Sequence, residues 1–168
     1  MKSEFGHQGA KDRYAEVCNI VGATMGQHVR HSMDHVELAA NMAVDCMNPL
    51  LDSNKPKEIH YDLRERGGSD EHDMDAAEER ILRQEVDSAV TPHPDNVDVF
   101  FMLSGDPMEF RLQSTIEREL GFAVHHAIHH MAMVKIVALQ TLQLPPDLLP
   151  LDFGKAPSTI VHDNETAE

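Results

Sequence analysis

Glu119 to Met133, ELGFAVHHAIHHMAM, places four histidines within six residues. In a helix turning about 100° per residue, His126 and His130 leave the same face one turn apart, close enough to share one metal ion. His125 and His129 form a second HxxxH pair on the neighbouring stripe, so two overlapping staircases compete for one site. Phe122, Met133 and Val137 extend the His126/His130 face and make it partly apolar, which turns it inward. Two histidines four apart on an exposed helix would simply meet water or a carboxylate; imidazoles buried without partners would be costly.

Immediately upstream the pattern changes to period two. Val97, Val99 and Phe101 alternate with Asp98 and Phe100, Ser104-Gly105-Asp106-Pro107 supplies a turn, and Glu109, Arg111 and Gln113 alternate with Met108, Phe110 and Leu112. This predicts a β-hairpin between two helices. Ser114 and Glu117 make a capping box that opens the histidine helix and carries it to about Leu142. Gln143 to Pro157 is Pro-rich and apolar, with Leu144, Leu148, Leu149, Leu151 and Phe153 able to pack over a bundle end. The domain is expected over residues 1–160, with 161–168 a frayed tail.

Towards the N-terminus, Thr24 reads as the cap of a strong helix from Met25 to Met47. Val29, Met33, Val36, Ala40 and Ala43 share one side, and His28, His31 and His35 share another stripe at i, i+3 and i+7, continued by Leu38 and Met42. Two apolar stripes with histidines between them describe a helix packed against two neighbours. Asn48 and Pro49 end it. Leu50 to Asp70 reads as a long polar connection, in which Arg64 and Arg66 beside Asp62 and Glu65 form a solvated, self-paired loop or a substrate clamp. A third helix is predicted from about Asp73 to Ala89, with Met74, Ala77, Ile81, Leu82, Val86 and Ala89 at helical spacing and an acidic start that suits the helix dipole; Thr91-Pro-His-Pro stops it. Asp12 to Val21 could make a short helix, although Gly6, Gly9 and Gly22 break the pattern.

A chain of 168 residues, 41% apolar, suits one domain with a real core. No apolar run is seen to approach the roughly 20 residues needed to cross a bilayer, and no signal peptide is read at the N-terminus, so a soluble, cytoplasmic protein is expected. Cys18 and Cys46 are too few for a disulfide scaffold and read as two buried thiols. A net charge of −15 argues against nucleic acid or anionic lipid as partner. A small-molecule partner, neutral, cationic or metal-held, is expected instead.

In order along the chain, TMGQHVRHSMDH, YDLRER, FFMLSGDPMEFRLQST, RELGFAVHHAIHHMAM and LDFGKAPST resemble the DinB-like (DinB/YfiT-like putative metalloenzyme) superfamily over about Ala10 to Thr159. The resemblance implies an all-α fold: an up-down-down-up four-helix bundle with an inserted β-hairpin before the last helix. It also implies a metal site of three histidines. Thr24-Met25-Gly26 places the first ligand at His31, and HAIHH maps the pair to His126 and His130. The family's full first helix has no room before Asp12-Arg13-Tyr14, which leaves a truncated product, a stunted first helix, or a bundle completed by a second chain.

Three neutral imidazoles without a thiolate suit Zn²⁺, Ni²⁺, Fe²⁺ or Co²⁺ and leave positions open to water or substrate. Glu119, two turns before His126 on the same stripe, could orient a ligand or relay a proton, or be an exposed glutamate near a helix start. No other base or nucleophile stands out, so no catalytic residue is named. Relatives in the superfamily imply a thiol-dependent transferase with a low-molecular-weight thiol substrate; the alternative is a non-catalytic bundle whose histidines bind metal for stability or are core residues. His28, His35, His125 and His129 could join or replace the named ligands. Apolar stripes left uncovered by a short first helix predict a two-fold homodimer.

Overall fold

The computed structural model describes residues 2–18, 22–48, 56–63, 66–84 and 95–166. Its elements are α1 (Lys2–Arg13), α2 (Met25–Met47), β1 (Glu58–His60), α3 (Met74–Arg83), β2 (Asn96–Met102), β3 (Glu109–Thr115), α4 (Ile116–Ile136) and α5 (Pro157–Thr166), with single turns of 3₁₀ helix at Ser69–Glu71 and Pro146–Leu148.

α2 starts where its cap dictates. The Gln27 N–H donates to the Thr24 hydroxyl at 3.0 Å while the Thr24 N–H donates to the Gln27 side chain at 3.1 Å. Two of the helix's first donors are thereby satisfied reciprocally. α4 is capped one residue later than the Ser114/Glu117 pattern predicts: Thr115 is the cap, accepting from the Arg118 N–H. The Ser114 hydroxyl is diverted to Glu119. α4 then runs into a wide π turn over Val137–Thr141.

The all-α expectation is corrected. The chain is 59% helical and carries a three-stranded mixed sheet, and no four-helix bundle with an inserted hairpin is shown. The hairpin of β2 and β3 forms in the register Val99↔Leu112, Phe101↔Phe110. β1 joins it as a parallel neighbour of β2, with Ile59 opposite Val99. β1 is three residues long and pairs with a strand far away in sequence, so the period-two signal of Glu58-Ile59-His60 is too short to separate from polar loop. The first helix is Lys2–Arg13, running through Gly6 and Gly9, and not the short helix expected from Asp12 to Val21, of which residues 14–18 are non-helical; α5 occupies much of the expected tail. The end of α2 at Pro49, the Arg64 clamp, Val86 and Ala89 of the third helix and its stop at Thr91 to Pro94 lie outside the described residues.

Two apolar clusters hold these elements together. Ile59, Tyr61, Val97 and Val99 of the sheet region pack against Ala43 of α2 and Ile116 of α4, with Leu38, Phe101, Leu120 and Phe122 around them. Tyr14, Cys18, Met25, Ala77, Val137, Ala138 and Leu142 form the second cluster, joined by Leu144 and Leu149 of the Pro-rich segment. Leu151, by contrast, is exposed. Gly26 makes the close approach at the start of α2: a Cβ there would stand 2.1 Å from the Glu71 carbonyl oxygen and 2.7 Å from the Tyr14 ring.

By length and composition Ile116–Thr141, 26 residues, is apolar enough to cross a membrane, against the expectation that no apolar run approaches that length. In the fold this helix lies along α2 and turns His126 and His130 towards it.

Candidate metal centre

α2 and α4 run antiparallel, since His35 meets His126 while His28, two turns earlier on α2, meets His130, one turn later on α4. The i, i+3, i+7 stripe of α2 therefore faces the i, i+4 stripe of α4, and their imidazoles interleave. His31 stands centrally, its ring centroid 4.6 Å from His35, 4.9 Å from His126 and 4.6 Å from His130.

Three of these histidines lie within reach of one metal ion. His31, His35 and His126 each offer a ring nitrogen, and the three atoms lie within 4.8 Å of one another. The Nε2 atoms of His31 and His126 are 3.0 Å apart. The sequence named His31, His126 and His130 as the ligands, with His35 as a residue that could join or replace one of them. The structure brings His31 and His126 together with His35. It places His130 with its centroid 4.6 Å from that of His126 and its Nδ1 3.0 Å from Nδ1 of His28. His125 and His129 are exposed.

His35 is held as a ligand should be. Its Nδ1 lies 3.0 Å from the His31 carbonyl oxygen; a carbonyl only accepts, so Nδ1 carries the proton and Nε2 carries the lone pair. Ligating histidines are commonly fixed by such a bond on the second nitrogen. The ring is buried and stacks face to face on Tyr61, with centroids 4.7 Å apart and planes 14° from parallel. Phe122 closes the same side against His35 and His126. The i, i+3, i+7 spacing found the stripe; the part played by Tyr61 carried no sequence signal.

The cluster is electrostatically set for neutral imidazoles. Burial, then the neighbouring His126 and His28, push His130 down to about 3. Burial, then His129, lowers His28 as well. Several imidazolium ions this close would repel one another in a partly dry site, and neutral imidazole is the form that ligates.

Glu119 is fully buried, not the exposed alternative. Its carboxylate accepts from the Tyr61 hydroxyl at 2.9 Å, from Arg118 Nη1 at 2.7 Å and from the Ser114 hydroxyl. It reaches His35 only through Tyr61, as a support of the stacking ring. Burial, then the Glu119 charge, raises the Tyr61 hydroxyl and keeps it protonated as a donor.

On the far side of α2, Arg80 of α3 donates to Asp34 at 2.8 Å and to Glu37 at 2.8 Å, and also to Asp70. Arg30 pairs with Asp34 and Glu71. These cations tie α2 to α3 and to the turn at Ser69–Glu71, so the acidic residues of α2 hold the helix in place behind the histidines.

An apolar cavity of about 480 Å³ opens beyond the histidines, lined by Met25, Val29, Met74, Val134, Ala138 and Leu149 among others. Val29 follows His28 in sequence and Val134 lies one turn past His130, so the cavity continues the histidine stripe along the helix pair.

No family model matches the chain, and no solved structure matches it. The chain is similar to a protein named FK506-binding protein 5 from Rhizopus delemar, 34% identical over 110 residues that cover 62% of this chain and 27% of that protein. The chain thus spans about a quarter of the length of this relative. The DinB-like resemblance is corrected by these findings: the relative found carries an FK506-binding name and nothing found is DinB-like.

Proposed function

We propose that the protein binds a divalent metal ion through His31, His35 and His126 and uses it in a metal-dependent reaction on a small molecule. The observation that supports this is the convergence of three buried or half-buried imidazole nitrogens within 4.8 Å, one of them oriented by its own helix carbonyl. Three neutral nitrogen donors without a thiolate suit Zn²⁺, Ni²⁺ or Fe²⁺, and three protein ligands leave coordination positions for water or substrate, as in catalytic rather than structural sites. A metal held this way would acidify a bound water or keep a thiol substrate deprotonated. Thiol-dependent group transfer, which the donor set allows without selecting it, is the activity to assay first. The FK506-binding name belongs to a protein of which this chain matches 27%.

A second reading, a helical scaffold whose histidines are core residues, is favoured by one observation. The two 3.0 Å nitrogen pairs, His31 with His126 and His28 with His130, satisfy each other as N–H···N hydrogen bonds without any ion. Elemental analysis of protein purified without an affinity tag separates the two. The proposal expects at least one metal ion per chain, and turnover of an electrophile with a low-molecular-weight thiol that chelation abolishes. Protein that takes up no Zn²⁺, Ni²⁺ or Fe²⁺ on reconstitution would leave the core reading.

A further inference from the structure

We infer that His28 and His130 form a second cation position, separate from the His31–His35–His126 trio and one rung further along the same helix pair. This inference rests on the proposed metal reading and extends it.

The Nδ1 atoms of His28 and His130 face each other at 3.0 Å, the same separation as the Nε2 atoms of His31 and His126 inside the trio. Two neighbouring imidazole ligands on a tetrahedral ion with bonds of about 2.0–2.1 Å have their nitrogens about 3.3 Å apart. Each pair therefore needs to open by only a few tenths of an ångström to admit an ion. The atoms of the second pair are not those of the first: His130 presents Nδ1 to His28, and His28 takes no part in the trio.

Helical geometry keeps the positions distinct. His126 and His130 are four residues apart, about 6 Å along the axis, whereas metals bridged by shared ligands in two-metal sites lie about 3.5–4 Å apart. The His130 ring centroid still lies 4.6 Å from those of both His31 and His126, as close as His35 lies to His31, so the second ion would be a near neighbour of the first, distinct in the ligand atoms it takes. His28 and His130 would supply two ligands, and water would fill the remaining positions. A set of imidazoles alone selects borderline cations such as Zn²⁺, Cu²⁺ or Ni²⁺ over Mg²⁺ or Ca²⁺, which prefer oxygen. The His28/His130 rung also lies towards the apolar cavity, next to Val29 and Val134 of its lining, so this ion would be the nearer of the two to a molecule held there.

The test is a Zn²⁺ and Co²⁺ titration of tag-free, metal-stripped full chain, with bound metal counted after desalting and Co²⁺ absorption followed step by step. Wild type should bind two ions per chain in two steps. His28→Ala and His130→Ala should each bind one, and His35→Ala should lose the other step, with helical content by circular dichroism unchanged. One ion in wild type that persists in His28→Ala would overturn the second position and leave the trio standing. Two ions retained in both His28→Ala and His130→Ala would place the second ion elsewhere and also overturn it. No uptake by wild type would remove the trio and this position together.

Discussion

Tyr61 lies flat against His35, ring centroids 4.7 Å apart, while its hydroxyl donates to the buried carboxylate of Glu119 at 2.9 Å. One side chain thus joins the sheet region, the histidine stripe of α2 and the start of α4. Tyr61→Phe keeps the stack and removes one donor from a carboxylate that has no access to water. Losing a hydrogen bond to a buried charged group costs about 1–3 kcal/mol. Urea unfolding of metal-free protein should show a loss in that range, with Zn²⁺ affinity within about tenfold of wild type because His35 keeps its orienting bond. An unchanged unfolding midpoint would mean that Ser114 and Arg118 satisfy Glu119 by themselves.

Ligand identity is tested by comparing His35→Ala with His126→Ala and His31→Ala. Changes to outer-shell partners alone weaken metal sites by about 10–100-fold, so loss of a trio ligand should weaken the tighter binding step by more than that in all three variants. Competition with a chromophoric chelator measures it. Full affinity in His35→Ala with loss in His130→Ala would move the third ligand to His130, whose centroid also lies 4.6 Å from that of His31.

The pH dependence of stability follows from His130. Its folded value is lowered to about 3 from an ordinary 6.5. Between those values the unfolded chain binds a proton that the folded chain does not, so stability rises with pH across this window and levels off above about 6.5. Carboxylates with lowered values, such as Glu71, act with the same sign but below the ordinary carboxylate range of about 4–4.5. Urea unfolding in the presence of chelator should therefore show wild type losing stability from pH 6.5 to pH 5, with a shallower slope in His130→Gln. Parallel slopes would mean that His130 is protonated in the folded state. Metal binding should weaken over the same interval as protons compete for the imidazoles.

Gly26→Ala sets a favourable helix propensity of about 1 kcal/mol against a collision. The new methyl would meet the Glu71 carbonyl oxygen at 2.1 Å, and both partners are backbone or ring atoms with little freedom to yield. Overpacking costs about 1–3 kcal/mol and sometimes more, so the variant should melt below wild type. A higher melting temperature would mean that the turn at Ser69–Glu71 moves away without loss.

A two-fold homodimer remains the proposed assembly. Val124, Met131 and Ile136 of α4 and Val44 and Met47 of α2 are exposed; where such groups form a contiguous patch of several hundred Å², association commonly covers it. Sedimentation equilibrium should give about 38 kDa, twice the 18.8 kDa chain. A mass of one chain at micromolar concentration would rule the dimer out.

The sequence by itself determined the parts whose signals are local. Thr24 and Gln27 lie three residues apart, so the start of α2 could be read from the cap, and the hairpin announced itself through alternation on either side of Ser104–Pro107. The histidine stripes were legible because helical periodicity puts them on one face before any partner is known. Tertiary structure decided what depends on distant pairs: that the three residues of β1 join β2 in parallel and make the fold mixed rather than all-α, that Glu119 is buried under Tyr61, and which imidazoles meet. His28, His31 and His35 are equivalent as a sequence pattern. Only the antiparallel offset of α4 against α2 sets His35 beside His126 and His28 beside His130, because side-chain convergence is fixed by where two helices cross and not by the period of either one.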